Sequence, residues 1–580
     1  MSLLDRFPVS LPFTPISPDV DAEAIAFSFT PQLTSLDTSN FGKNAIWRDI
    51  YALTGTSRIF YGAKSILEAW EAIGTCTKPR GFGLMKGSAM IFRAGPACWI
   101  QASYRFETDE TSSQALVSLV QEDGEWKIWL LRTILDSLKG VEGSVDFLAP
   151  GGGVEEKDEF HGGQDFDCVI VGGGQTGLSI GGRLKALGVK YVVLEKNLEV
   201  GDNWRKRYDY CKLHLPRETA HLPFEKTFRS EDLPFYLGKD LLARGYKEWA
   251  EKYGINLLTS TKLEHGDWNP AENKWTLVIL QGEQRRKITC SHVVMAVGAG
   301  GQVPKMPEYA NREVFKGDAL HTVNYNNASS WKGKRGIVIG TANTGHDIAE
   351  DMLEAGLTSV TMVQRSPTFV VPAEWIADIL SHSYNAHIPT AVADQLTWSM
   401  PVPIIANLQK GMTTHRMSLE PERFNALEKA GFRISRDGLL AEHIFERFGG
   451  HYVDVGASAK ISNGLIKIKS GTLPVRYVED GLEFEDGERV PADVVVFATG
   501  FDRSAKKQVV SLFSPEVAER MGDWWGVNNE GEIIGAFRPT GQRGMWYAGG
   551  DQSQCRYFSR FVALSIKADV MGRPLQVYQG

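Results

Sequence analysis

Apolar positions along this chain follow two rhythms. In the runs MIFRAG, CWIQASYRF, QALVSLV and WKIWLLRTIL they alternate with polar ones, the period of half-buried strands, and Asp123-Gly124 between the last two is a hairpin turn signal. Ahead of them, NAIWRDIYAL and AKSILEAWEAI space their apolar residues as helices do. Helices followed by an antiparallel meander predict a small α+β domain over residues 1–140. The stretch 141–165, rich in glycine and acid, predicts an exposed linker. From Phe166 onward apolar strands alternate with helices, the signature of an α/β chain with a doubly wound parallel sheet.

Two of these strands end in glycine-rich turns. The first reads CVIVGGGQTGLSIGGRLKALGVKYVVLEK, with Gly172, Gly174 and Gly177 in a G-x-G-x-x-G frame and Glu195 closing the next strand. In such a frame one glycine permits the tight turn, the next lets the backbone approach a pyrophosphate, and the third allows close packing of helix on strand. The helix N-terminus adds free N–H groups and the positive end of its dipole. Glu195 stands near the spacing of about 20 residues at which a carboxylate accepts from an adenosine ribose. It repels a 2'-phosphate, so this site suits FAD or NAD. A purely structural strand-turn-helix leaves Glu195 unexplained.

The second turn reads GIVIGTANTGHDIAEDM, with Gly340, Ala342 and Gly345 in the same frame and Arg365 after the next strand. The methyl of Ala342 predicts a looser or shifted cradle. A guanidinium at 365 pairs bidentately with a 2'-phosphate and favours NADPH, the alternative being a solvated surface arginine. Two dinucleotide-binding, Rossmann-like domains in one chain imply electrons passing between cofactors. The boundaries read as 166–328 for the first part of the FAD domain, 329–488 for the NADPH domain and 489–580 for the second part of the FAD domain. HVVMAVGAGG, ending in glycines near 298–301, and VVVFATGF, ending at Gly500, read as crossovers between them. The run MWYAGGD ends in Asp551, which suits an acceptor for ribityl hydroxyls. An insertion at 366–445, aromatic and proline-bearing without a clean period, either covers the active site or adds helical bulk.

Composition narrows the class. The chain has 580 residues, 43% of them hydrophobic, enough for three or four domains with cores of their own. A net charge of −7 argues against a nucleic-acid surface. The opening MSLLDRFPVSLPFTPISP has prolines and an acid where a secretory leader has a basic region and an apolar core, and no run of apolar residues is long enough to span a membrane. The expected compartment is the cytoplasm. The six cysteines are scattered with no C-x-x-C, so the electron relay of disulfide reductases is excluded, and neither they nor the twelve histidines show a metal-site spacing.

The string FKGDALHTVNY, with Phe315, Gly317, His321 and Tyr325, resembles the fingerprint of the class B flavin-dependent monooxygenases. Gly201 to Trp204 (GDNW) is similar to their G-G-x-W segment with Asp202 at the second glycine, and Ala498 to Gly500 to their A-T-G motif. YDYCKLHLPRETAHLPF, with His214, is closer to the plant auxin-forming members than to the animal amine-oxidising ones, which carry asparagine beside the flavin. GGHYVDVGASAKI, GLIKIKSG and GGDQSQCRYFSRFVALSIKA resemble a fungal subgroup whose leading domain is NTF2-like. For that domain a substrate pocket, a homodimer contact and a docking surface all remain open.

This resemblance implies FAD at the first turn, with Trp204 along the flavin or in the core. It implies NADPH held by Gly340, Asn343, Thr344, Gly345 and Arg365. The reaction it implies is hydride transfer to FAD, a flavin C4a-(hydro)peroxide formed with O2, and one oxygen atom placed on a small organic substrate. Within the family the 315–325 segment joins the two domains, so His321 and Tyr325 are expected to couple nicotinamide position to flavin state. Taken alone, they suit packing on one helical face. His214 either lines the flavin or packs a loop. Tyr325 stands where the type I Baeyer–Villiger fingerprint has tryptophan, which favours oxygenation of nitrogen or sulfur over ketone insertion, with hydroxylation and Baeyer–Villiger oxygenation of a ketone left open. Oxidative decarboxylation of a 2-oxo acid, an NADPH oxidase or reductase of the same fold, and a non-catalytic scaffold stand as alternatives.

Overall fold

The computed structural model describes residues 2–151, 163–229, 231–298, 303–502 and 504–580. Residues 152–162 of the expected linker and residues 299–302, with Gly300 and Gly301 among them, lie outside the described residues.

The N-terminal unit is built on a seven-stranded mixed sheet. Along one path the strands are Ser57–Tyr61, Phe41–Ile50, Glu125–Leu138, Thr111–Glu122, Ala97–Glu107 and Arg80–Leu84, and Met90–Ala94 also pairs with Ala97–Glu107. The four alternating runs are strands as expected, and Asp123 and Gly124 both take positive φ, 51° and 86°, as a two-residue hairpin turn requires. AKSILEAWEAI lies in the helix Ala63–Thr77, which buries Ile66, Ala69 and Ile73. NAIWRDIYAL is not a helix. It forms the strand Phe41–Ile50, antiparallel to Ser57–Tyr61 and parallel to Glu125–Leu138, so the sheet is not a simple meander. Both faces of that strand are covered: Trp47 packs among the unit's own helices, while Ile46 meets Met400 and Ile404 from the insertion. A strand apolar on both sides shows no period of two, and tertiary packing overrode the local spacing.

The first dinucleotide sheet runs Leu257–Leu258, Tyr191–Leu194, Asp165–Val171, Gln284–Met295, Lys274–Gln281 and Thr261–Asn269, with Met545–Tyr547 also on Gln284–Met295. The second is wholly parallel: Asp318–His321, Val494–Phe497, Arg335–Ile339, Ser359–Gln364 and Ile466–Ser470. Two expected boundaries therefore move. Asp318–His321 already belongs to the second sheet, and the chain rejoins the first at Met545–Tyr547 rather than near 489. Short apolar strands of parallel sheets look alike in sequence, and only pairing assigns them.

The insertion is mostly helical, with Ala373–Ser381, Thr390–Trp398, Val402–Leu419 and Pro421–Lys429, and it lies between the N-terminal unit and the catalytic body. The expected linker is tied down at its start. Val145 is buried, and Asp146 pairs with Arg183 at 2.7 Å and Arg560 at 2.7 Å. The last helix, Gln552–Val570, is buried on nearly every side and packs on Gln175–Ala186, the helix of the first turn. Among the described residues no helix is long and apolar enough to cross a membrane.

Candidate active site

At the first turn the strand Asp165–Val171 ends at Gly172, whose φ of +111° suits glycine, and a Cβ there would meet Ala296 O at 2.4 Å. A Cβ on Gly177 would sit 1.9 Å from Gly172 O, so helix and strand approach as closely as backbone permits. Gly174 caps the helix, and the space in front of its Cα holds only Asn203 Nδ2, at 3.3 Å. A side chain would fill that space; a phosphate oxygen fits it. Glu195 is buried, and its carboxylate accepts from Gly173 N at 2.8 Å, Asn197 N at 2.8 Å and Asn197 Nδ2 at 2.7 Å. The acid thus stands at the mouth of the turn.

Asp551 is carried to the same place by the C-terminal helix. It is that helix's N-cap, and its Oδ1 accepts from Gln554 N at 2.9 Å and Ser553 Oγ at 2.7 Å. Burial pushes its carboxyl above the usual range. The first-turn helix is fastened beside it, with Gln175 Nε2 donating to Gly550 O and Thr176 Oγ1 lying 3.0 Å from Cys555 Sγ. Trp204 is half-buried, and its Nε1, like Tyr246 Oη, is buried without a hydrogen-bond partner among the described residues. A free helix end, an open glycine and a waiting carboxylate fit FAD.

The second turn repeats the first. Gly340 has φ +121°, and a Cβ on it would meet Ala498 O at 2.4 Å; one on Gly345 would meet Gly340 O at 2.2 Å. Ala342 caps the helix Asn343–Glu354 with φ −90° and ψ −175°, beside −79° and −170° at Gly174. Its methyl is therefore carried without the shift expected of it. Asn343 uses Oδ1 to accept from Val453 N at 2.8 Å, Thr344 is half-buried in the first helical turn, and Arg365 is exposed at the end of Ser359–Gln364 with no ion pair among the described residues. An uncommitted guanidinium beside a phosphate cradle fits NADPH.

The 315–325 string is structural scaffolding of the second domain. Phe315 is buried against Tyr477 and the neighbouring strands, and a Cβ on Gly317 would strike Asp493 O at 2.4 Å. Among the described residues neither touches a glycine turn. His321 ends a strand, with Val323 N donating to Nδ1 at 3.3 Å and Nε2 donating to Gly500 O at 3.1 Å. Both ring nitrogens are engaged and burial lowers its pKa, so it is not built for acid-base work. Tyr325 is buried and donates to Asp351 Oδ2 at 2.5 Å. The pair lies at a strand end and beyond a 3₁₀ turn, not on a helical face.

His214 does reach across the domains. Its Nε2 lies 3.0 Å from Asp347 Oδ1 on the second-turn helix, and Tyr208 Oη donates to Asp347 Oδ2 at 2.7 Å. The Nδ1 of His214 is buried with no partner among the described residues. Asp347, Tyr208 and Asn203 were not singled out from sequence, although Asn203 sits inside GDNW.

The chain matches the family model described as pyridine nucleotide-disulphide oxidoreductase over residues 169–394. Its six cysteines are all free, so the paired thiol of that description is not present. It is 26% identical over 342 residues to "Probable indole-3-pyruvate monooxygenase YUCCA3" of Arabidopsis thaliana, covering 57% of this chain and 72% of that one. It is 25% identical over 371 residues to "Indole-3-pyruvate monooxygenase YUCCA1" of Oryza sativa subsp. japonica, covering 62% and 84%. In fold it is similar to ε-caprolactone-bound cyclohexanone monooxygenase, with a TM-score of 0.51, 16% identity and coverage of 70% and 89%. Turns, sequence matches and shared fold point the same way: the chain carries two dinucleotide-type turns, is similar in sequence to proteins named as monooxygenases, and shares the fold of one.

Proposed function

We propose that FAD lies along the first turn and NADPH along the second, and that the enzyme places one atom of O2 on a small organic substrate by N- or S-oxygenation or hydroxylation. When bound, the flavin accepts hydride and activates dioxygen. The protein's own part is to hold and orient. Gly174 and the helix N-terminus cradle the FAD pyrophosphate, Glu195 accepts from its ribose, and Asp551 takes a ribityl hydroxyl. Arg365 grips the 2'-phosphate that Glu195 would repel. His214, held by Asp347, ties its own loop to the second-turn helix. The observation that carries this reading is the repeated turn, one copy faced by an acid and the other by a base.

Relatives named for indole-3-pyruvate favour a second reading, oxidation of a 2-oxo acid with loss of its carboxyl group. Arg207 supports it. Its guanidinium lies 5.4 Å from the Trp204 ring and 5.9 Å from the Tyr208 ring, in the field of Asp347, which places a cation beside the His214–Asp347 contact. The N-terminal unit we read as NTF2-like, on the strength of its mixed sheet with the helix Ala63–Thr77 against one face. The test begins with colour. Purified protein should be yellow and bleach with NADPH under nitrogen, and admitting O2 with candidate substrates should yield, from an amine or thioether, a product heavier by one oxygen atom, or, from a 2-oxo acid, an acid that has gained one oxygen atom and released CO2, lighter by CO overall. Stoichiometric hydrogen peroxide with every substrate would make it an oxidase instead.

A further inference from the structure

We propose that the N-terminal unit is a fixed arm of the flavin site, and that Trp398 is the positioning residue through which it sets Asp551. The inference rests on the assignment of FAD to the first turn. Arg48 and Arg132 stand directly opposite each other on parallel strands of the N-terminal sheet, and both are buried. Two like charges so placed repel unless something common to both holds them. That something is the corner at residues 398–400, where the insertion helix Thr390–Trp398 ends and Val402–Leu419 begins. Arg48 Nη1 donates to Trp398 O at 2.6 Å and Met400 O at 3.0 Å, while Arg132 Nη1 donates to Ser399 Oγ at 3.2 Å. Carbonyls at a helix C-terminus lack helical partners and carry its negative dipole end, so they suit cations. Glu532, from the C-terminal part of the chain, completes the grip with a bidentate pair to Arg48 at 2.5 and 2.8 Å.

From that corner a hydrogen-bonded chain runs to the cofactor site. Trp398 Nε1 donates to Ser553 Oγ at 3.1 Å, and Ser553 Oγ donates to Asp551 Oδ1 at 2.7 Å. Ser553 Oγ and Gln554 N both donate to Oδ1, which turns Oδ2 toward a cofactor hydroxyl in this proposal. The same helix is held at two more points. Asp394 pairs bidentately with Arg556 of the C-terminal helix, at 2.7 and 2.7 Å, and Gln395 Nε2 donates to Gln114 Oε1 of the N-terminal sheet at 3.1 Å. The helix cannot shift without disturbing both the sheet and the N-terminus that Asp551 caps.

The test uses the full chain stripped of FAD and titrated with FAD by flavin fluorescence. Trp398→Phe keeps the ring against Phe558 and removes one N–H. It should weaken FAD binding about 5- to 10-fold, the loss that one hydrogen bond accounts for, with the melting temperature of the FAD-free protein unchanged. Ser553→Ala should do the same, and the double variant should lose no more than either single one, because both break one chain. Arg48→Met alone strands the buried Glu532 carboxylate, so it is made with Glu532→Leu, and that pair should also weaken FAD. Wild-type affinity in Trp398→Phe, or strictly multiplicative losses in the double variant, would overturn the proposal. A wild-type chain that takes up no FAD would remove the cofactor assignment along with it.

Discussion

At the first turn a Cβ on the third glycine would sit 1.9 Å from backbone oxygen, and at the second 2.2 Å; the helix caps differ by 11° in φ and 5° in ψ. Around this shared backbone the surroundings diverge. The first turn is roofed by the C-terminal helix and faces a buried carboxylate already holding three N–H groups. The second is tied through Asn343 to Val453 and faces an exposed arginine that holds nothing among the described residues. In the function proposed above, the backbone supplies pyrophosphate binding in both, and the charge at the end of the next strand sorts one nucleotide from the other. The turns themselves are equally half-buried; what differs is that the facing acid is buried and the facing arginine exposed.

Gly177→Ala should break the comparison most completely. With backbone oxygen at 1.9 Å and no flexible side chain to move aside, the helix must be displaced, at a cost above about 4 kcal/mol, and the protein should be purified colourless or not at all. Gly345→Ala should leave a yellow protein that NADPH no longer bleaches. Arg365→Glu comes next. It should raise the KM for NADPH about 10- to 100-fold, the worth of a charge-assisted bidentate contact, with kcat at saturation little changed and the gap to NADH narrowed. Steady-state kinetics with the two nucleotides would show it; unchanged selectivity would return Arg365 to the solvated surface.

A pH prediction sharpens the same contrast, because His346 lies inside the second-turn helix with no counterpart in the first. It is fully buried, stacked 3.6 Å from Tyr452, and burial lowers its pKa to about 4. A histidine depressed in the folded state contributes stability above its unfolded pKa of about 6.5, lost progressively as pH falls toward 4. The full contribution is on the order of 3 kcal/mol. Asp49 in the N-terminal unit runs the other way, since burial raises it to about 6 and its contribution is lost as pH rises through that value. His346→Phe should therefore flatten the acid limb of a melting-temperature profile between pH 6.5 and 4, and an unchanged limb would reject the assignment. The smallest effect expected is from Ala342→Gly. The backbone is already that of the first turn, so the KM for NADPH should change by less than about 2-fold, well inside what loss of a single contact costs.

The glycine frames, Glu195, Arg365 and Asp551 were legible because each carries a backbone or charge requirement that few other residues meet. His321, Tyr325, Phe315 and Gly317 were legible only as a string. The structure uses them to hold the second sheet together: a histidine hooked to Gly500 O, a tyrosine on Asp351, a ring in a core, a glycine against a carbonyl. A string of residues records that a segment is constrained without saying by what. Asp347 could not be read at all, since its partners Tyr208 and His214 lie more than a hundred residues away along the chain.

What the amino-acid order determined by itself was local: where strands stop, where φ must be positive, which sign of charge closes each βαβ unit. Those are properties of neighbouring residues, and they survive in any context. Which sheet Asp318–His321 and Val494–Phe497 join, that NAIWRDIYAL is a strand, and that two arginines of the N-terminal unit grip the insertion were decided only in three dimensions. Burial on both faces erases the alternation that marks a strand, and a buried cation is stable only once distant acceptors have been folded around it.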